Sequence, residues 1–371
     1  MRVPARFRAT ARTIGALLLI SGACSIASAA CPQATDATAS GTAPSAQPSG
    51  AAAASDATAT AATLDPTAAP HASPDTLFSR AVVIGASASD GFGLSVRENG
   101  AKPGDGVSVS LADILRVALS GRHTVEAYAS SMVFVNPGPI LSGEMERALR
   151  QSPTIILGID YLFWYVYGTV DAAGAPMRTP EQRLANLERG LAQADAALAH
   201  GIPVIVGDIP DMKAAIGKML SRAQVPDHAT LDAVNARIRE WAQSRPGARV
   251  FGLRESVMSI STNGSMRAGG TDWSVDDHGP LLLRDELHPS FPGLVAVASS
   301  VVESAATLLP QDSRAAFEAS FDLDPMMVRR RLLDERAREM EAVRSRKGAE
   351  APADSPAPSA PAAPGASSAA R

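Results

Sequence analysis

Cysteine is almost absent from this 371-residue sequence: Cys24 and Cys31 are the only two, and none follows. Whatever folds after residue 31 therefore has no disulfide to brace it and no thiolate to act as a nucleophile. Positive charge is also in short supply. The formal charge is −4 at neutral pH, and loss of Arg2, Arg6, Arg8 and Arg12 from the N-terminus takes it to −8. That balance argues against nucleic acid, or an anionic membrane surface, as a general electrostatic partner.

Long apolar runs are missing too. The N-terminal arginines are followed by the apolar stretch Ile14 to Ile20 and by the small residues Ala27-Ser28-Ala29. This order predicts a signal peptide over 1–29, because its apolar core is shorter than the ~20 residues a membrane-spanning helix needs. Cleavage after Ala29 would release a soluble periplasmic or secreted protein. Cleavage before Cys24 or Cys31, each preceded by small residues, would leave a lipid-anchored protein associated with the cell envelope.

Large core-forming side chains are scarce at both ends. Residues 32–74 contain Leu64 as their one large aliphatic residue, so 30–74 reads as a disordered Ala/Thr/Ser/Pro linker, and 349–371 as a similar Ala/Pro-rich tail. Between them, 75–310 has the composition of one folded domain, about 235 residues long and within the range for a single core. A charged helical extension is expected over 311–348. In it, Asp324 is a natural cap for the segment from Pro325, and Arg329-Arg330-Arg331 reads as a solvated face.

Inside the domain, short β-branched runs alternate with helix-period segments. Ala81-Val82-Val83-Ile84, Thr154-Ile155-Ile156-Leu157, Pro203-Val204-Ile205-Val206 and Arg249-Val250-Phe251 are apolar without alternation, as strands buried on both faces are. Thr179-Pro180, with Gln182 at capping-box spacing, opens a helix whose Leu184, Leu187, Leu191 and Leu198 share a face. Leu231, Val234, Ile238 and Trp241 form a second stripe. A βαβα alternation of this kind predicts a three-layer, doubly wound, flavodoxin-like parallel sheet with its working site outside the carboxyl ends of the strands.

The first strand runs into Gly85-Ala86-Ser87-Ala88-Ser89-Asp90-Gly91, which places a serine hydroxyl at such a site. Serine needs a base, and Asp285-Glu286-Leu287-His288-Pro289 supplies an imidazole with a carboxylate three residues before it to fix its tautomer. His278, which follows Asp276-Asp277, reads as part of a solvated loop, and no metal or organic cofactor is expected. These two blocks, in this order and strand context, resemble the first (Gly-Asp-Ser-x-x-x-Gly) and last (Asp-x-x-His) blocks of the GDSL/SGNH hydrolases. The resemblance covers about 80–308 and implies esterase, lipase, deacylase or acyl-transfer chemistry, with Ser87 as nucleophile, His288 as base and Asp285 as its orienter. On the same likeness, Gly85 and Gly91 shape the nucleophile turn and Gly158 opens the third block.

The oxyanion side departs from the family pattern. Gly158-Ile159-Asp160-Tyr161 puts a carboxylate where the family's third block has asparagine, and no glycine lies between Gly121 and Gly138, so the second-block role falls to the neighbourhood of Ser130. Four readings of Asp160 stay open: a protonated donor, a residue with another role while Asn136 or Tyr161 donates, a degraded site, or a structural ion pair. Tyr161, Phe163, Trp164, Tyr165 and Tyr167 concentrate aromatic area beside it, as a substrate platform or as ordinary core. The function expected is an exported serine hydrolase acting on a small-molecule or glycan ester, as a carboxylesterase, lipase-like enzyme or carbohydrate deacylase. A cell-envelope acyltransferase and a non-catalytic carbohydrate-binding protein are the alternatives, and a monomer is the expected state.

Overall fold

A computed structural model describes residues 74–98, 100, 102, 105–171 and 173–349. The expected signal segment, both cysteines, the linker before residue 74 and the tail from residue 350 lie outside the described residues. None of the described helices is long and apolar enough to cross a membrane.

Five strands form the central sheet: β1 (Arg80–Val83), β2 (Thr124–Ala127), β3 (Ile155–Gly158), β4 (Val204–Gly207) and β5 (Ala248–Phe251). Their spatial order is β2-β1-β3-β4-β5 and every neighbouring pair is parallel. This is the flavodoxin-like order, in which the chain reverses direction across the sheet between β1 and β3 and leaves a crevice at their carboxyl ends.

The unbroken apolar strands make sense because both faces are covered. Val83, Leu157, Ile205 and Phe251 point to one side, against α1 (Leu111–Ala118) and α5 (Phe291–Ala306). Their alternates Val82, Ile84, Ile156, Val204 and Val206 point to the other. There they meet α2 (Pro137–Arg150), α3 (Pro180–Ala199) and α4 (His228–Gln243). The Thr179 capping box starts α3 as its sequence implies. Leu187 and Leu191 are buried and Leu184 and Leu198 half-buried, while all four members of the α4 stripe are buried.

Two features differ from the sequence expectation. Strand β2 was not foreseen, because it is an edge strand in which Val125 alone is buried, so it carries no apolar run. The core also continues past residue 310. Phe317, Phe321, Val328 and Leu332 join the same apolar cluster as Phe78 and Leu115, so α6 (Pro325–Ala349) packs its first turns onto the domain. Asp324 caps α6 by accepting the Met327 N–H at 2.9 Å, and Arg331 pairs with Asp322.

The carboxyl end of β4 fits closely under the loop that follows β3. A Cβ at Gly207 would lie 1.8 Å from the Ile159 carbonyl oxygen, and backbone cannot retreat as a side chain tip can. Gly207→Ala is therefore expected to cost at least the roughly 1–3 kcal/mol of an overpacked core. Chemical denaturation would show this, and a variant as stable as wild type would contradict the packing.

Candidate functional site

The chain leaves β1 through Gly85, whose φ of 136° lies in a region that side chains other than glycine's rarely enter. It then turns into a short helix, Ser87–Asp90, closed by Gly91 at φ 72°. Both glycines are also sites of close approach: a Cβ would come within 2.2 Å of Asp160 Oδ1 at Gly85 and 1.7 Å of the Val109 carbonyl at Gly91. The turn leaves Ser87 half-buried at the mouth of the β1/β3 crevice.

His288 arrives from a loop 201 residues later and sits with its ring 2% exposed. Its Nε2 lies 2.7 Å from Ser87 Oγ and its Nδ1 2.8 Å from Asp285 Oδ2. A carboxylate only accepts, so Nδ1 carries the hydrogen and Nε2 is the free acceptor for the serine proton. The loop is tightly self-bonded. Asp285 Oδ1 accepts the N–H groups of Leu287 and His288, both at 3.0 Å, and Glu286 adopts φ 56° to make the turn. Burial pushes the Asp285 carboxyl up, but the hydrogen bonds from His288 and Leu287 outweigh it and leave it below the ordinary carboxylate value. Phe92 covers the imidazole, ring centroids 4.7 Å apart. Ser290 then caps α5.

Asp160 corrects the sequence expectation for the oxyanion side. Its carboxylate is 5% exposed and sits inside the nucleophile turn. Oδ1 accepts the Ala86 N–H at 2.9 Å and the Ser89 hydroxyl at 2.5 Å, while Oδ2 accepts the N–H groups of Ala88 at 2.8 Å and Ser89 at 3.2 Å. Four donors converge on it and nothing accepts from it, so Asp160 is neither a protonated donor to an oxyanion nor one half of an ion pair. It holds the turn in shape.

The other residues expected on this side are also committed elsewhere. Tyr161 is fully buried with its hydroxyl on Gln193, which Tyr165 also contacts at 2.8 Å, so it does not donate to the site. Asn136 is exposed at the start of α2. Ser130 gives its N–H to the Gly85 carbonyl at 3.0 Å, and its hydroxyl accepts from Met132. Ser131 gives both its N–H and its hydroxyl to Asp90. Gly158 ends β3, where a Cβ would press on Tyr161 Cβ at 2.8 Å. Among the described residues, the Ser87 N–H has no acceptor, as befits the first residue of a helix. The aromatic run is core: Tyr161, Tyr165 and Tyr167 are fully buried, and only Phe163 and Trp164 reach the cavities beside Ser87. His278 packs against Trp273 in a tilted arrangement, ring centroids 4.8 Å apart.

Sequence reading missed Glu144. It lies on the apolar face of α2 with Leu141, Met145 and Ala148, is fully buried, and its Oε2 accepts the Gly85 N–H at 2.9 Å. The available signal was a glutamate at helical spacing among apolar residues. Its Oε1 has no partner, and burial, opposed by the Gly85 N–H and reinforced by the negative charge of Asp160, pushes its pKa up to about 8. Burial raises the Asp160 carboxyl as well, against its hydrogen bonds. With four donors on Asp160 and one on Glu144, the pair keeps its charge on Asp160 and its proton on Glu144 at neutral pH.

No protein-family model matches the chain, and no curated protein does. Among solved structures, the chain is similar to a gut microbial diltiazem-metabolizing enzyme, at 12% identity and a TM-score of 0.38, over 64% of this chain and 49% of that one. It is thus matched to about half of that enzyme's length. It is also similar to a psychrotrophic esterase from a Pseudoalteromonas species, described as inhibited by monoethylphosphonate, at 13% identity and a TM-score of 0.35, over 62% of this chain and 97% of that one.

Two outcomes follow for the buried carboxyls. Asp160→Asn sets an amide NH2 against backbone N–H groups, and each donor left unpaired costs roughly 1–3 kcal/mol. The variant should lose both thermal stability and reactivity at Ser87; faster turnover would mean that the charge of Asp160 obstructs the chemistry. For Glu144, a folded pKa of about 8 against an ordinary 4.5 means that its share of stability is complete below 4.5 and is lost as pH rises through 8. Glu144→Gln should match wild type in melting temperature near pH 5 and exceed it near pH 9, a gap that calorimetry at the two pH values would measure.

Proposed function

We propose that this chain is an exported serine hydrolase of the GDSL/SGNH kind that cleaves a carboxylic ester through an acyl-enzyme on Ser87. The observation that carries the reading is the unbroken relay from Ser87 Oγ through His288 to Asp285, with links of 2.7 and 2.8 Å. The arginine-rich, apolar and small-residue series at the N-terminus supports export.

In the first half-reaction, Ser87 Oγ attacks the ester carbonyl while His288 Nε2 takes its proton. The tetrahedral intermediate collapses as the same nitrogen returns that proton to the departing alcohol, leaving an acyl-serine. Water then enters, gives a proton to Nε2 as its oxygen attacks the acyl carbon, and Ser87 regains a proton as the carboxylic acid leaves. Asp285 stays ionised throughout and stabilises the imidazolium. The Ser87 N–H faces the developing oxyanion in this scheme, and the Ser131 N–H joins it only when Asp90 turns aside.

Two facts favour catalysis over a binding protein on the same fold. A degraded site has no reason to preserve the imidazole in its reactive tautomer, and Asp160 supports the nucleophile turn instead of opposing the oxyanion. Mature wild-type protein is expected to react with a fluorophosphonate at Ser87, with no adduct on Ser87→Ala and a rate roughly 10²–10⁴-fold lower for His288→Ala. Peptide mapping by mass spectrometry would locate the adduct. Folded wild type that stays unlabelled at Ser87 would sink the proposal.

A further inference from the structure

Two cavities of different character meet at Ser87 and His288, which line both along with Leu287. The first, of about 60 Å³, is narrow and apolar. Its walls include Ile159, Phe163, Met212, Val257, Leu281 and Val297, all buried side chains from the segments that follow β3 and β4, the loop before α5, α5 itself and the helix Leu253–Asn263. Asp160 also borders it, but both of its oxygens are spent on the nucleophile turn. The second cavity is about 220 Å³ and faces outward past Phe92, Phe134 and Met219, which are 42%, 57% and 44% exposed.

An ester bound at Ser87 sends its acyl arm one way and its alcohol arm the other. The alcohol leaves after the first half-reaction, and water must then reach the acyl carbon, so the alcohol belongs on the wide, outward side. The acyl group stays through both steps and belongs in the narrow cavity. A single water-sized group needs roughly 10–15 Å³ of such space, so this cavity is large enough for a short alkyl chain and not only for a methyl group.

Resting on the acyl-enzyme reading above, we infer that the substrate carries a short unbranched apolar acyl chain, seated between Phe163, Met212 and Val297, and is not an acetyl ester. Apart from the Ser256 hydroxyl, which donates to the Gly252 carbonyl, the walls are apolar beyond the reacting groups and Asp160, so they favour an alkyl chain over a charged one and reward each methylene removed from water.

The test uses p-nitrophenyl esters of acetate, butanoate, hexanoate and decanoate. With wild type, kcat/KM should rise about fourfold per added methylene up to hexanoate, the equivalent of about 0.8 kcal/mol each, and fall at decanoate. Val297→Phe fills the cavity and should turn the preference toward acetate. Met212→Ala enlarges it and should carry the optimum beyond hexanoate, so the inference does not depend on either variant folding. A second arm needs no turnover: hexanamide should raise the melting temperature of Ser87→Ala, acetamide should not, and Val297→Phe added to Ser87→Ala should remove the effect.

If Ser87 is labelled by fluorophosphonate but acetate is the best substrate and neither cavity variant alters the order, the inference falls and the nucleophile assignment stands. If Ser87 is not labelled and no ester turns over, the hydrolase reading falls and the second arm decides. Stabilisation by hexanamide would then keep the cavity as an alkyl-binding site, and its absence would overturn that as well.

Discussion

The candidate site depends on one buried carboxylate. Asp160, at the end of β3, draws together the N–H groups of Ala86, Ala88 and Ser89 and the Ser89 hydroxyl, all from the turn that follows β1. A turn that tight leaves several backbone donors pointing inward, away from water, and each would carry a desolvation penalty if left alone. One carboxylate with two oxygens absorbs three of them, and the Ser89 hydroxyl as well. The result is a rigid base from which the Ser87 hydroxyl projects toward the imidazole, with the serine's own N–H left free. Placing this clasp across β1 and β3 puts it at the switch point of the sheet, where two loops diverge and leave room for a ligand.

That clasp imposes a second cost, met by Glu144. The Gly85 N–H is not among the donors to Asp160 and is taken by a glutamate from α2. Two ionised carboxylates flanking one glycine in an apolar interior would repel strongly, so the one with fewer donors holds a proton. The glycine is squeezed between them: its left-handed backbone and the space its missing side chain vacates are both in use.

Much of this was legible in the sequence where the information is local. Apolar runs without alternation marked β1, β3 and β4, since a strand buried on both faces needs no polar side; Val250-Phe251 marked the edge strand β5, and the Thr179 box the start of a helix. Ser87, Asp285 and His288 could be read because each sits in a short block whose order reflects the relay they form. Asp160 could be noticed as a charge out of place, but its function could not be read. It is set by three N–H groups, which every residue possesses, and only the fold brings them to one point. Glu144 was overlooked because a single glutamate in a helix is ordinary until its face is known to be inside. The tyrosines after Gly158 carried a misleading signal. Aromatic density near a site suggests a platform, yet their hydroxyls found partners in Gln193 and the Pro210 carbonyl, which let them serve as core.

The bond between Ser87 and His288 spans 201 residues of chain. Closing so long a loop has an entropic cost that one hydrogen bond does not offset, so the pairing relies on the sheet and helices that lie between them in the chain. Both the clasp and the base loop stand on opposite ends of that ordering: one follows the first strand, the other precedes the helix that covers the finished sheet. The contact between Ser87 and His288 is thus a property of the completed topology. A chain stopped before Asp285 would possess the serine, its turn and the carboxylates Asp160 and Glu144, and still have no imidazole to meet the serine.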